Sequence, residues 1–306
     1  RGDSSAYVVD ILQQNGLEAV NLKGGTVGWG DYYEAKDIPG YGTREKGERL
    51  LQINRVAKGC LSYMLISGKE ALVVDPARHI GTYLNLAEKE GVKITYIMDT
   101  HLHADHISGG AELAKVSGGR YYIQEIETEA SPLQHLPLPD GEVFKIGGSR
   151  VEVIAHLLPG HTPGSTSFLI DHRFLLTGDT LFVKGVGRPD LGGMAEAWAR
   201  MLYDSLFRKL AQFTEDLVIL PAHFSDPKEV DAQGLVMGSL TELREKNEAL
   251  QIGNEEKFVH YIQDRITSQP SIYQDIRQVN LKRKEVDETT ASEMEIGKNE
   301  CAAAPH

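Results

Sequence analysis

In residues 5–15, SAYVVDILQQN, the apolar side chains Tyr7, Val8, Ile11 and Leu12 fall on one helical face, and Gly16 supplies a stop. AVNL then reads as a short strand and GGTVGW as a turn. From about residue 50 the pattern changes to short, β-branched apolar runs, LLQINRV, CLSYMLI and ALVVD, which predict the strands of a sheet. HIGTYLNLAEKEG sets Ile80, Tyr83, Leu84 and Ala87 on one helix face, and the apolar strand ITYIM follows, ending at Asp99. Further strands are predicted at YYI, at RVEVIAH, where Val151, Val153 and Ala155 alternate, and at TSFLI, RFLLTG and LVILP. Helical patterns occupy 194–212 and recur after 228. The last ~25 residues are charged and uneven, the composition of a loose tail. There is no internal repeat.

Strands alternating with helices make this an α/β chain. With 306 residues and 41% hydrophobic content it is long enough for two domains, or for one large domain with appendages. A formal charge of −12 with no long Lys/Arg block argues against a nucleic-acid partner, since counterion release needs clustered cations. No run approaches the ~20 apolar residues of a membrane span, and the N-terminus lacks a signal-peptide pattern. The expected location is therefore the cytoplasm. Cys60 and Cys301 are too few for a disulfide framework and too far apart for a Cys-x-x-Cys pair, and Cys60 reads as a small apolar packing residue. The chain begins at Arg1, not Met, so an upstream segment is expected.

Candidate chemistry concentrates in THLHADHISGG, which directly follows the strand ending at Asp99. Open α/β sheets place their sites in such loops. Residues i and i+2 of an extended segment share a side, so His101 and His103 can face one point while Asp105 and His106 arrive from beyond the turn. Three more strand ends carry donors: LLPGHTPGS gives His161, LLTGDTLF gives Asp179 and LVILPAHFS gives His223. Together these are seven nitrogen and oxygen donors, enough for one complete metal site or two adjacent ones. The set contains no cysteine, which excludes a purely cysteine-type structural zinc site.

The ordered series THLHADH, PGHTPG, TGDTLF and PAH resembles the metallo-β-lactamase superfamily across residues ~50–225. The resemblance implies a four-layered αββα sandwich with the metals at one sheet edge. Asp75, in VVDPA, matches a buried aspartate that supports the metal loop; read from the residues alone, it serves equally well as a turn or N-cap aspartate before Pro76. Two branches of the superfamily carry every donor. In a glyoxalase II-like hydrolase, His101, His103 and His161 hold one zinc, Asp105, His106 and His223 the other, and Asp179 bridges. In a persulfide dioxygenase, His101, His161 and Asp179 alone hold one Fe(2+), and His103, Asp105, His106 and His223 hydrogen-bond around them.

The surroundings favour the dioxygenase resemblance. GDTLFVKGVGRPDL is similar to that branch, and Arg188 in it is a candidate for holding the carboxylate of a thiol carrier. Phe224-Ser225 departs from the acidic-aromatic pair that helps bind glutathione in both branches, so another low-molecular-weight thiol is an open alternative. Residues 1–29 resemble the last third of a rhodanese domain without its catalytic cysteine, and TELREKNEALQ and QPSIYQDIRQVNL resemble superfamily members fused to rhodaneses. The domain reading is then a rhodanese-like segment and linker over 1–45, the metallo-β-lactamase-like domain over 46–280, and a flexible tail over 281–306. The expected partners are a thiol persulfide, O2 and a rhodanese, with self-association left open. His79, His135, His156, His172, His260 and His306 receive no role.

Overall fold

Successive side chains of a strand point to opposite faces, and the strands of this chain are apolar at both parities. Leu50, Tyr63, Leu65, Leu72 and Val74 pack against Phe168, Ile170, Phe174, Leu176 and Leu220. Their neighbours in sequence take the other side: Leu51, Met64, Ile66, Ala71 and Val73 in one group, Leu169, Leu175 and Ile219 in another. Strands buried on both faces need a second sheet on one side and helices on the other. The computed structural model has that architecture, and it describes residues 3–128, 130–147, 151–213, 216–224 and 226–303.

The first sheet holds β1 (Tyr33–Asp37), β2 (Glu48–Arg55), β3 (Cys60–Ser67), β4 (Glu70–Val74), β5 (Lys93–Met98) and β6 (Arg120–Tyr122), adjacent in sequence order. It is antiparallel through β4 and parallel from β4 to β6. The second holds β7 (Val143–Ile146), β8 (Val151–Leu157), β9 (Thr166–Ile170), β10 (Phe174–Gly178), β11 (Val218–Pro221) and β12 (Gly238–Ser239), again adjacent in order, with β10 and β11 parallel. The helices are α1 (Asp3–Gln14), α2 (Gly25–Gly30), α3 (Gly81–Glu90), α4 (Gly110–Ser117), α5 (Ala195–Asp204), α6 (Leu240–Lys246), α7 (Glu255–Gln263), α8 (Ile272–Asn280) and α9 (Glu288–Met294). Tyr83 and Ala87 of α3 and Leu113 of α4 cover the first sheet. Leu202 of α5, Leu243 of α6 and Phe258 of α7 cover the second. The four-layered αββα sandwich is thus the observed fold.

Several elements differ from their sequence pattern. Among the described residues AVNL pairs with no strand, and GGTVGW runs into α2 from its second glycine, Gly25. The predicted apolar face of α1 is open, with Tyr7, Val8 and Ile11 exposed. β1 and β7 escape a hydrophobicity reading because each is a sheet edge paired on one side: β1 is largely polar, and β7 is only four residues long.

The largest correction concerns the expected tail. Through residue 303 the chain after 281 is folded onto the sandwich: Ala291 and Met294 of α9 pack with Ile276 and Val279 of α8 and with Ile107. One of its charges is neutralised internally, while Lys282, Lys284, Glu285, Asp287 and Glu288 stay at the surface. Buried Glu295 pairs with Arg55 at 2.9 Å and Arg78 at 2.7 Å, and accepts the Ile107 N–H at 2.7 Å.

Burial pushes the Glu295 carboxyl up, but Arg55, Arg78 and the Ile107 amide outweigh it and hold the group below its ordinary 4.5. Glu295→Gln leaves two arginines without their counter-charge and is expected to cost about 3–5 kcal/mol in urea unfolding at pH 7. A depressed carboxyl pKa contributes stability above the unfolded value and loses it as pH falls through the folded one. The gap between wild type and variant should therefore be full at neutral pH and close below pH 4.5. A gap that persists unchanged in acid would assign the stabilisation to packing.

Candidate metal centre

All seven predicted donors follow the C-terminal ends of strands that run toward one sheet edge. Asp75 follows β4 and the His101–His106 loop follows β5; His161 follows β8, Asp179 follows β10 and His223 follows β11. The two sheets meet at this edge. Leu61 at the start of β3 donates to Ala222 O at 2.7 Å, Cys60 forms a backbone bridge with His223, and Thr166 N–H donates to Thr100 O at 2.8 Å. The donors end up between 0% and 2% exposed, which is costly for polar groups unless partners or an ion satisfy them.

His101 Nε2 and His161 Nε2 lie 3.6 and 3.4 Å from Asp179 Oδ2, and the three groups form one cluster of potential ligand atoms. Among the described residues none of these three atoms has a hydrogen-bond partner. The opposite ring nitrogens are engaged, which sets the tautomers. His161 Nδ1 donates to Arg188 O at 2.9 Å, and His101 Nδ1 donates to Thr100 Oγ1 at 2.9 Å while that hydroxyl donates to Asp75. Burial, helped by neighbouring His103, holds His101 well below its ordinary pKa, and burial likewise lowers His161 despite Asp179. Neutral imidazoles with free lone pairs are what a metal ion requires. The buried, unpartnered donor set therefore fits a divalent cation.

His103 stands apart. Its Nε2 donates to Asp75 Oδ1 at 3.1 Å, leaving Nδ1 unpartnered. Asp75 also accepts the Thr100 N–H at 2.7 Å, and its backbone takes the left-handed conformation at φ 51. It is no N-cap, since α3 begins six residues later and is capped at Ile80. Asp75 holds the loop from beneath.

The remaining donors close on one another. His106 Nδ1 lies 3.0 Å from Asp105 Oδ1, and His223 reaches Asp179 Oδ1 through Nδ1 at 2.6 Å and Asp105 Oδ2 through Nε2 at 3.2 Å. Cys60 Sγ donates to Asp105 Oδ2 at 3.2 Å. Burial alone would favour neutral forms, but the opposed charges reverse it. Asp105 is pulled well down by His223 and His106, His106 is pushed up to about 10 by Asp105, and His223 rises between Asp105 and Asp179.

Arg188 does not serve as expected. Its guanidinium is buried and engages both oxygens of Asp190 at 2.7 and 2.8 Å, with Glu300 O and Thr267 O as further acceptors, so its fork is occupied. It acts on the site through its carbonyl, which orients His161. Phe224 O accepts from Asn299, and Ser225 and His306 lie outside the described residues. His79, His135, His156 and His260 sit away from the centre, in local contacts with Tyr33, Thr128, Phe213 and Glu256.

Sequence reasoning missed the residues that hold the loops. Buried Glu127 accepts the Leu102 N–H at 3.1 Å and the Gly164 N–H at 2.6 Å, tying the His101 loop to the His161 loop. Asn280 donates to His103 O and His106 O. Gly187 is required by space: a Cβ there would stand 2.0 Å from Asp179 O and 2.8 Å from His161 Nδ1. Only that glycine carried a local signal, in GVGRPD; the other two act from distant, unremarkable stretches.

Asp75→Ala removes the group beneath Thr100 and His103. Metal affinity, measured by chelator competition, should fall about 10–100-fold; an unchanged affinity would show that the loop is held without it.

Residues 55–223, more than half of the chain, match the family model described as the metallo-beta-lactamase superfamily. The chain is 32% identical over 191 residues to the human mitochondrial persulfide dioxygenase ETHE1, covering 61% of this chain and 69% of that one. It is also 32% identical over 161 residues to the hydroxyacylglutathione hydrolase of Pseudomonas syringae, covering 52% and 58%. Among solved structures, ETHE1 from Myxococcus xanthus superimposes with TM-score 0.64 at 24% identity, over 75% of this chain and 96% of that one.

Proposed function

Because the chain belongs to the metallo-β-lactamase superfamily, we propose that it is a mononuclear iron persulfide dioxygenase, converting RSSH, O2 and H2O to RSH, sulfite and two protons. The observation that carries this reading is the triad of His101, His161 and Asp179. His101 Nε2, His161 Nε2 and Asp179 Oδ2 face one another unpartnered, with tautomers preset; His103 is held by Asp75, and His106 and His223 lie at ion-pair distance from Asp105, each of these three rings also keeping one unpartnered nitrogen. Two imidazoles and one carboxylate on one face are the donor set of non-haem iron. Greater coverage of the persulfide dioxygenase than of the hydrolase supports the same choice.

Ferrous iron held there supplies a redox-active ion with positions left for O2 and a soft sulfur. The chain's own residues do the rest. His223 fixes Asp179 through Oδ1, leaving Oδ2 directed at the two histidines. Ala104, Phe182, Leu191, Trp198, Tyr273 and Cys301 form an apolar cluster beside the donors. Such a wall excludes water and suits a poorly hydrated persulfide sulfur. With Arg188 engaged elsewhere, the group that reads the thiol carrier is another one, so the proposal is for a low-molecular-weight thiol persulfide as a class.

The second reading, a dinuclear zinc thioester hydrolase, draws on the adjoining group of Asp105, His106 and His223 and on the hydroxyacylglutathione hydrolase relatives. The two are separated by loading the protein anaerobically with Fe(II), adding glutathione persulfide, and measuring O2 uptake and sulfite, with a second carrier persulfide alongside. Matched uptake and sulfite are expected. Asp179→Ala should abolish both together with iron binding, whereas Asp105→Ala should retain about one iron per chain. Retained iron and full activity in Asp179→Ala, or thioester hydrolysis without O2 uptake, would overturn the assignment.

A further inference from the structure

We propose that a small cavity between α2 and α9 binds a monocarboxylate carrying a short apolar body, with the Lys58 ammonium as its charge partner and Trp29 as the surface for the body. The cavity holds about 120 Å³, room for about four waters, or for a carboxylate and a few carbons in their place. Its walls come from α2, from the turn joining β2 to β3, and from the end of α9 with the residues just after it. None of the seven metal donors lines it, so the site stands whichever reaction the metal centre performs.

The charges around the cavity are settled except for one. Arg55 donates its Nε–H to Gly30 O at 2.7 Å and pairs through Nη1 with Glu295 at 2.9 Å, and Arg78 also pairs with Glu295, at 2.7 Å. Asp31 lies 3.1 Å from His79 Nε2, and its side chain is 42% exposed to water. Lys58 is only 4% exposed, and among the described residues its ammonium has neither a hydrogen-bond acceptor nor an ion-pair partner. A buried ammonium without a counter-charge is costly, and one anion from outside removes that cost. A single unopposed cation calls for a single negative charge. A dianion would leave half of its charge facing Asp31 and Glu295, which line the same space.

A second observation points to the rest of the ligand. Val27 and Trp29 are each 40% exposed and Ile296 is 55% exposed, and all three line this cavity. Trp29 stacks on Tyr32 with ring centroids 5.6 Å apart, which orients its ring, and among the described residues its indole N–H has no acceptor. An aromatic face, two aliphatic groups and a free N–H suit a carboxylate on an alkyl body. A bare inorganic anion would leave the apolar surface in water.

The test follows the two tryptophan indole N–H signals of the full-length protein by nitrogen-edited NMR, with Trp29→Phe assigning the Trp29 signal, during titration with butyrate, butyramide and sulfate. Butyrate is expected to move the Trp29 signal saturably. Butyramide, of the same shape but uncharged, should bind at least about tenfold more weakly to wild type, and butyrate should bind Lys58→Met more weakly by the same factor, the worth of one charge-assisted hydrogen bond. Sulfate should move the signal less than butyrate at equal concentration. No saturable shift of Trp29 with butyrate, equal binding of butyramide, unchanged binding in Lys58→Met, or sulfate acting as strongly as butyrate overturns the proposal. Should Lys58→Met fail to fold, the butyrate and butyramide titrations of wild type decide. Neither metal nor turnover enters these readouts, so the carboxylate site and the dioxygenase reading fail separately.

Discussion

Seven histidines and aspartates sit almost wholly out of water at an edge where two apolar sheets meet, and the rest of the structure answers to that burial. Isolated polar groups in such a place would cost several kcal/mol each. Each ring therefore has one nitrogen committed to a fixed partner, and each carboxylate has either a backbone amide, a hydroxyl or an opposed imidazole. What is left over is directional: free lone pairs converge where a cation can replace the missing partners. The burial that makes the cluster expensive also makes it selective.

Holding loops to that tolerance is the work of residues remote in sequence. Glu127 ties two donor loops together from a short 3-10 turn. Asn280, Glu295 and Asn299 reach from the C-terminal segment to the carbonyls and amides beside His103, His106, Ile107 and Phe224. Residues 301–303 add backbone pairing to 186–188, where Arg188 N–H donates to Cys301 O and Ala303 N–H to Val186 O. The centre is thus framed by sheet ends on one side and by a side-chain-rich strap on the other.

The strands and the donors themselves are legible in the sequence, because burial on both faces writes continuous apolar runs and donors sit at the ends of those runs; the αββα layering is what the resemblance of the motif series implies. The edge strands β1 and β7 are not legible, since β1 is largely polar and β7, at four residues, is too short for its alternation to stand out. The fate of the C-terminal segment is hidden for a different reason. Its charges look solvated until Arg55 and Arg78, more than two hundred residues earlier, are known to face Glu295. Arg188 shows the same limit: a guanidinium fork suits a carboxylate, but sequence alone does not say that the carboxylate is Asp190 two residues on. Cys60 likewise reads as packing from its apolar run, and only the meeting of β3 with the chain after β11 brings its sulfur to Asp105.

The strap has a consequence for biosynthesis. Chains fold as they emerge from the ribosome, N-terminal portions first, and by residue 223 every donor has been translated. The clamps at residues 280, 295 and 299 have not. A nascent chain therefore displays the complete ligand set with Asp75 and Glu127 already available to its loops but without the clamps of the strap. The frame around the donors is in this way complete only once residues 280–299 have been made and have docked.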